Sequence, residues 1–141
     1  MNSSITTSST DVRPSQGLLD TSYFVARETG RQHDSNRVPS NCAVSIVTIA
    51  ELRLGVLTSH SSTAQSLRLS TFLYASALDP IPIDNAIADA WAQLRISLRD
   101  TKTKMSVNDS WIAATAMAHN IPVITQDGDF TEGLGFDIIR I

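Results

Sequence analysis

The sequence predicts an α/β domain built on a central, mainly parallel sheet, and three observations carry that expectation. Short apolar runs, GLLD at 17–20, CAVSI at 42–46, IPVIT at 121–125 and FDIIRI at 136–141, alternate with longer helical patterns. That alternation is the mark of strand–helix–strand units whose crossovers leave neighbouring strands parallel. Helical stretches end on stop signals, Gly30 and the AHN of 118–120, as helix C-termini commonly do. The chain of 141 residues is long enough for one hydrophobic core and too short for two.

Each element follows in order. Residues 1–16, MNSSITTSSTDVRPSQ, hold seven Ser/Thr in the first ten positions and no apolar periodicity. Ordering them would bury too little to offset the lost entropy, so a flexible Ser/Thr-rich tail is expected, with the folded domain at 17–141. GLLD reads as the first strand, ending at Asp20, and TSYFVARETG as a helix capped by Thr21 or Ser22 and stopped by Gly30. CAVSI is the second strand. TIAELRLGVL (48–57) and STAQSLRLSTFLYASA (62–77) are the next helices. PIPI (80–83) is a short strand that its prolines confine to an edge or a connection. DNAIADAWAQLRISLRD (84–100) is amphipathic, with Ile87, Ala90, Trp91, Leu94 and Leu98 on one face and Asp84 as cap. SVNDSWIAATA (106–116) opens the last helix, IPVIT is a strand, QDGD (126–129) a turn, and FDIIRI the closing strand.

Composition excludes several classes. Hydrophobic residues make up 42%, charged residues 18%, and the net charge is −3. That is an ordinary globular balance, with no broad nucleic-acid-coating surface, although a local basic patch remains compatible with it. No apolar run approaches the ~20 residues of a membrane span, and the N-terminus lacks the charged and apolar regions of a signal peptide. Cys42 stands alone in an apolar run and reads as a small core residue. A reducing cytoplasm fits these features. His33, His60 and His119 share no ligand spacing and are expected at the surface or at helix ends. Trp91 and Trp111 occupy apolar helical positions, as core or interface anchors.

The acids are more informative. Between Val12 and Arg27 the sole acid is Asp20, between Ser35 and Leu78 it is Glu51, and between Thr101 and Gln126 it is Asp109. In a parallel α/β sheet, strand C-termini and the starts of the following helices share one edge. Asp20 ends a strand, Asp127 follows one, and Glu51 and Asp109 lie early in helices, so all four can converge there. Each also has a plainer reading. Thr48 with Glu51, and Ser106 with Asp109, match capping-box spacing, Asp20 can cap the first helix, and Asp127 can be a turn residue. Convergence has a cost, because two carboxylates about 4 Å apart repel by roughly 4 kcal/mol at an effective dielectric of about 20. A divalent cation relieves it, and an all-oxygen donor set favours Mg²⁺ or Mn²⁺.

LLDTS at 18–22, TIAELRLGV at 48–56, NDSWIAATA at 108–116 and VITQDGDF at 123–130 resemble the PIN-domain ribonucleases, specifically the VapC toxins of type II VapBC toxin–antitoxin pairs. The likeness runs from Gly17 to Ile141 with motifs in the family's order. It implies a three-layer α/β/α domain, usually dimeric, and a Mg²⁺-dependent endoribonuclease that cuts cellular RNA, with tRNA or rRNA the expected class, to inhibit translation and growth. It also implies a small VapB-type antitoxin as partner. Matched by position, Asp20, Glu51, Asp109 and Asp127 are the catalytic acids. Asp20, Asp109 and Asp127 bind the metal, with Glu51 on metal-bound water or a second ion, and Asp129 shares or replaces the role of Asp127. Thr21, Ser22 and Thr125 fall where the family places hydroxyls near the metal.

An RNA-binding surface needs positive charge beside this acidic edge. Arg95, Arg99, Lys102 and Lys104 place four of the eleven basic residues within ten positions just before the Asp109 helix. They are the expected RNA contacts, with a solvated helix end as the plainer reading. Arg27, Arg31 and Arg53 are lesser candidates. Apolar residues near Tyr23, Phe24 and 54–57 are expected to leave a face for a second copy or an antitoxin segment. Two other Mg²⁺ classes fit poorly: a receiver-like signalling domain needs an adjacent acid pair after the first strand and a late lysine, and a haloacid-dehalogenase-type phosphatase needs Asp-x-Asp where this chain has Asp20-Thr21-Ser22. A catalytically silent PIN-like binding module is the remaining alternative, and the presence of all four acids counts against it.

Overall fold

The structure, a computed structural model, describes residues 15–141. The expected tail at 1–16 lies outside the described residues except for Ser15 and Gln16, and Gln16 already belongs to the first strand.

In chain order the elements are β1 (Gln16–Leu19), α1 (Thr21–Thr29), a one-turn 3-10 helix (Ser35–Arg37), β2 (Asn41–Val44), α2 (Ile46–Leu57), α3 (Ser62–Ser76), α4 (Asn85–Asp100), α5 (Val107–His119), β3 (Val123–Thr125) and β4 (Ile138–Arg140). The four strands form one sheet in the order β2-β1-β3-β4. Every pairing is parallel, with Leu19 opposite Val44 and Ile124, and Thr125 opposite Arg140.

Strand alternation builds the three layers. Leu18, Val123 and Ile138 turn to a core shared with Leu94 and Leu98 of α4 and Ile112, Ala113 and Ala116 of α5. The next residue of each strand, Leu19, Ile124 and Ile139, turns to the other face, against Phe24 of α1, Leu52 of α2 and Ala75 of α3. Each fully buried Leu, Ile or Phe contributes about 1.5–3 kcal/mol, so the two-residue period fixes which face each strand presents. One glycine is required by this packing. A Cβ on Gly17 would come within 2.7 Å of Ile124 Cγ1 and 2.9 Å of Pro39 Cγ, so the bulk of Ile124 occupies the space that Gly17 leaves open.

Several local expectations need correction. The N-cap of α1 is Asp20, whose extended backbone lets its side chain accept from the Tyr23 N–H, and not Thr21 or Ser22. CAVSI yields a strand only to Val44, where its partner β1 ends at Leu19, and Ile81 then pairs with Ser45, donating its N–H to Val44 O (2.9 Å) and accepting from Ile46 N–H (3.0 Å). PIPI is thus one bridge at the sheet edge, Ser45 with Ile81. The helix that follows therefore begins at Ile46 with Ser45 as cap, so Thr48 and Glu51 do not form a capping box. Phe24 was expected near an exposed face and is fully buried, whereas Leu54 and Leu57 are 61% and 65% exposed. Trp91 and Trp111 stack on each other, with ring centroids 4.5 Å apart. Among the described residues no helix is long and apolar enough to cross a membrane.

Candidate metal centre

The carboxyl edge of the sheet lies where β1 has β2 on one side and β3 on the other, so crossovers leave in opposite directions and a crevice opens between them. Asp20 sits at its floor, 2% exposed. Its Oδ1 accepts from Ser22 Oγ at 2.6 Å and from Tyr23 N–H at 3.4 Å, and its Oδ2 accepts from Thr125 Oγ1 at 2.7 Å. Each hydroxyl spends its proton on Asp20 and accepts a backbone N–H in return: Gln126 N–H reaches Ser22 Oγ (2.9 Å) and Asp127 N–H reaches Thr125 Oγ1 (2.8 Å). The loop leaving β3 is thereby tied to the end of β1. Burial pushes the Asp20 carboxyl upward from its ordinary value, the three donors oppose that shift, and the charge of Asp127 adds to it. Three accepted bonds leave one lone pair on Oδ2 free for a ligand.

Glu51 approaches from the second turn of α2. Thr21 Oγ1 donates to its Oε1 at 2.6 Å and Asn108 Nδ2 to its Oε2 at 3.3 Å, so the carboxylate is held from both sides. Thr48, fully buried, lies 3.1 Å from Thr21 Oγ1 and fixes that hydroxyl in turn. Asp109 stands in the first turn of α5, where Ser106 caps the helix by accepting Asp109 N–H at 3.1 Å. That half of the expected capping box is present, yet the side chain faces other acids. Burial first, then repulsion from Asp127, Glu51 and Asp20, pushes the Asp109 carboxyl up to about 6, with Ser106 opposing.

Carboxylate oxygens of Asp109, Asp127 and Asp129 all lie within 4.8 Å of one another. Asp127 and Asp129 come from the short turn after β3, where Asp129 N–H donates to Asp127 Oδ1 at 3.0 Å. Asp20 and Glu51 fall outside this triangle but within electrostatic reach of Asp109. All five sequence-predicted acids therefore border one crevice, and Asp129 joins the tightest group. Among the described residues the one ion pair is Arg99 with Asp100, 3.1 Å apart at the surface, so no side-chain cation neutralises any of the five. An all-carboxylate set with uncompensated charge fits a hard divalent cation.

The basic residues line a groove that leads to this cluster. Arg95, Arg99, Lys102 and Lys104, with Ser106 and Asp129, surround a cavity of about 830 Å³. Arg95 is partly committed, since its Nη1 donates to Met105 O (3.2 Å) and Ser110 Oγ (3.0 Å) and so braces the α4–α5 connection. Arg99, Lys102 and Lys104 are exposed, and Arg99 shares its charge with Asp100. Arg27 and Arg53 lie elsewhere, over the rings of Tyr74 and Phe72. Sequence reasoning missed Asn108, although it adjoins Asp109 in NDS. It also missed Arg140, whose Nη1 and Nη2 donate to Asp127 O (2.8 Å) and Phe130 O (2.6 Å).

Fold and site define a class: an α/β/α domain that gathers carboxylates at the carboxyl edge of a parallel sheet. The PIN domain family profile matches residues 17–133. Ribonuclease VapC5 of Mycobacterium tuberculosis (strain ATCC 25618 / H37Rv) is 41% identical over 131 residues, covering 91% of this chain and 97% of that protein. Ribonuclease VapC4 of the same organism is 42% identical over 126 residues, covering 89% and 97%. The crystal structure of VapBC-5, a member of the VapBC family of toxin-antitoxin systems from Mycobacterium tuberculosis, matches with a TM-score of 0.84 at 39% identity over 91% of this chain and 100% of that chain. The chain belongs to the PIN-domain family and, within it, to the VapC ribonucleases.

Proposed function

We propose that this chain is a Mg²⁺-dependent endoribonuclease, Mn²⁺ being an alternative ion, and the toxin of a VapBC-type pair that acts on tRNA or rRNA in the cytoplasm. The observation that carries the reading is the triangle of Asp109, Asp127 and Asp129 within 4.8 Å, without an ion-pair partner among the described residues, at the end of a groove lined by Arg95, Arg99, Lys102 and Lys104. Support comes from relatives named ribonuclease VapC and a solved neighbour titled as a toxin-antitoxin system. A VapB-type antitoxin and a second copy of the chain are the proposed protein partners.

Asp109, Asp127 and Asp129 would hold the cation, with the free lone pair of Asp20 Oδ2 completing the carboxylate set. When bound, the ion activates water and offsets charge developing on the phosphoryl oxygens. Glu51, oriented by Thr21 and Asn108, is placed to accept a proton from the attacking water. Lys102 and Lys104 attract the phosphate backbone, and that attraction weakens with salt.

The test is inducible expression of wild type beside Asp109→Asn, with transcriptome-wide mapping of RNA 5′ ends and cleavage by purified protein with and without chelator. Growth arrest and new cuts in the wild type alone, lost with EDTA and restored by Mg²⁺, are expected. Equal cutting by the variant, or cutting insensitive to chelator, rejects the reading.

A further inference from the structure

Arg140 lies in β4 directly opposite Thr125 of β3. Its guanidinium bridges two backbone carbonyls, Asp127 O at 2.8 Å from Nη1 and Phe130 O at 2.6 Å from Nη2. Those carbonyls bracket the turn that carries Asp127 and Asp129. The other hydrogen bonds of residues 127–130 stay within the β3 strand end and the turn itself, Asp127 N–H to Thr125 Oγ1 and Asp129 N–H to Asp127 Oδ1. Among the described residues, Arg140 therefore supplies the hydrogen bonds that fasten this turn to a neighbouring strand.

The turn needs such a fastening. Three carboxylates crowd within 4.8 Å, and their mutual repulsion pushes the Asp127–Asp129 turn, which carries Gly128, away from Asp109 on α5. No carboxylate lies within ion-pair distance of Arg140 among the described residues, so its full charge stands behind the turn while its planar fork fixes the spacing of the two carbonyls.

We infer that Arg140 is a positioning residue for the metal centre, acting through the Asp127 and Phe130 carbonyls to hold Asp127 and Asp129 against Asp109 before a cation arrives. The inference rests on the proposed metal-dependent reading and adds a residue outside the acidic set. Preorganisation of this kind appears as affinity, because the ion does not have to order the turn as it binds.

The test uses purified full-length wild type, Arg140→Lys and Arg140→Gln. Mn²⁺ binding is measured by titration calorimetry, with melting temperature and RNA affinity measured alongside. Lysine keeps the charge but presents one ammonium that cannot span both carbonyls. Both variants are expected to bind Mn²⁺ about 10-fold or more weakly, with cleavage recovering at saturating Mn²⁺. Wild-type Mn²⁺ affinity in both variants overturns the inference, as does a defect confined to RNA affinity, which would make Arg140 a phosphate contact. Absence of Mn²⁺ binding by the wild type would overturn the metal-dependent reading itself.

Discussion

Asp20 and the Asp127–Asp129 turn serve the same crevice by opposite means. Asp20 is 2% exposed, fixed at a strand end and wrapped by three donors, so its position is set by the core. Asp129 is exposed, on a turn, with no donor to its carboxylate among the described residues, so its position is set by backbone ties. The difference separates two kinds of sensitivity. Changes around Asp20 should register in folding stability as well as chemistry, and changes in the turn should register in cation affinity.

The largest expected effect tests what the two regions share. Asp20→Asn and Asp109→Asn should each lower cleavage by about 10²–10³-fold, the worth of several kcal/mol of cation-assisted charge stabilisation. Single-turnover cleavage of a fixed RNA would measure this. At neutral pH the melting temperature of metal-free Asp20→Asn should fall, because a buried amide Nδ2 cannot accept from Thr125 Oγ1, and relief of the buried charge offsets only part of that loss.

Next comes the wrapping itself. Thr125→Val keeps the shape but leaves Asp20 Oδ2 without its donor and Asp127 N–H without its acceptor, at a cost of about 1–3 kcal/mol. Urea unfolding at pH 7 would register it. A change near zero would mean the hydroxyl is dispensable to the fold, and the contrast between the two regions would weaken.

A pH experiment sharpens the contrast from the acidic side. Asp109 is raised from 3.8 to about 6, so protonated Asp109 stabilises the fold fully below pH 4, and that contribution is lost as the pH rises through about 6. The metal-free melting temperature should therefore decline between pH 4 and 7. Asp109→Asn should flatten the decline, and excess Mg²⁺ at pH 7 should reverse it in the wild type. The smallest effect lies outside both regions. Lys102→Gln with Lys104→Gln should weaken RNA binding modestly and reduce the slope of log K against log salt by about 0.7 per lost phosphate contact on single strands.

Much of this was legible because strands and acids each carry a one-dimensional signal. The two-residue alternation of Leu18 and Leu19, and of Val123 and Ile124, predicts a sheet buried on both faces, and isolated acids at element junctions predict an acidic edge. What was illegible depends on pairing across long separations. Thr48 and Glu51 have the spacing of a capping box, but Ser45, bridged to Ile81, caps a helix that starts at Ile46, which frees Glu51 for the crevice. Asn108 and Arg140 carry no spacing signal, since one meets Glu51 and the other meets backbone carbonyls only once α5 and β4 are in register. The choice between Asp127 and Asp129 was ambiguous for the same reason, and the geometry places both beside Asp109.

The close fit of Gly17 under Ile124 gives the crevice a mechanical dependence on the far end of β1. A methyl group there would press on the side chains of Ile124 and Pro39, and a displaced Ile124 adjoins Thr125, which donates to Asp20. The aperture of the acidic edge is in this sense calibrated by an atom that is missing three residues upstream of Asp20, in the strand that leads to it.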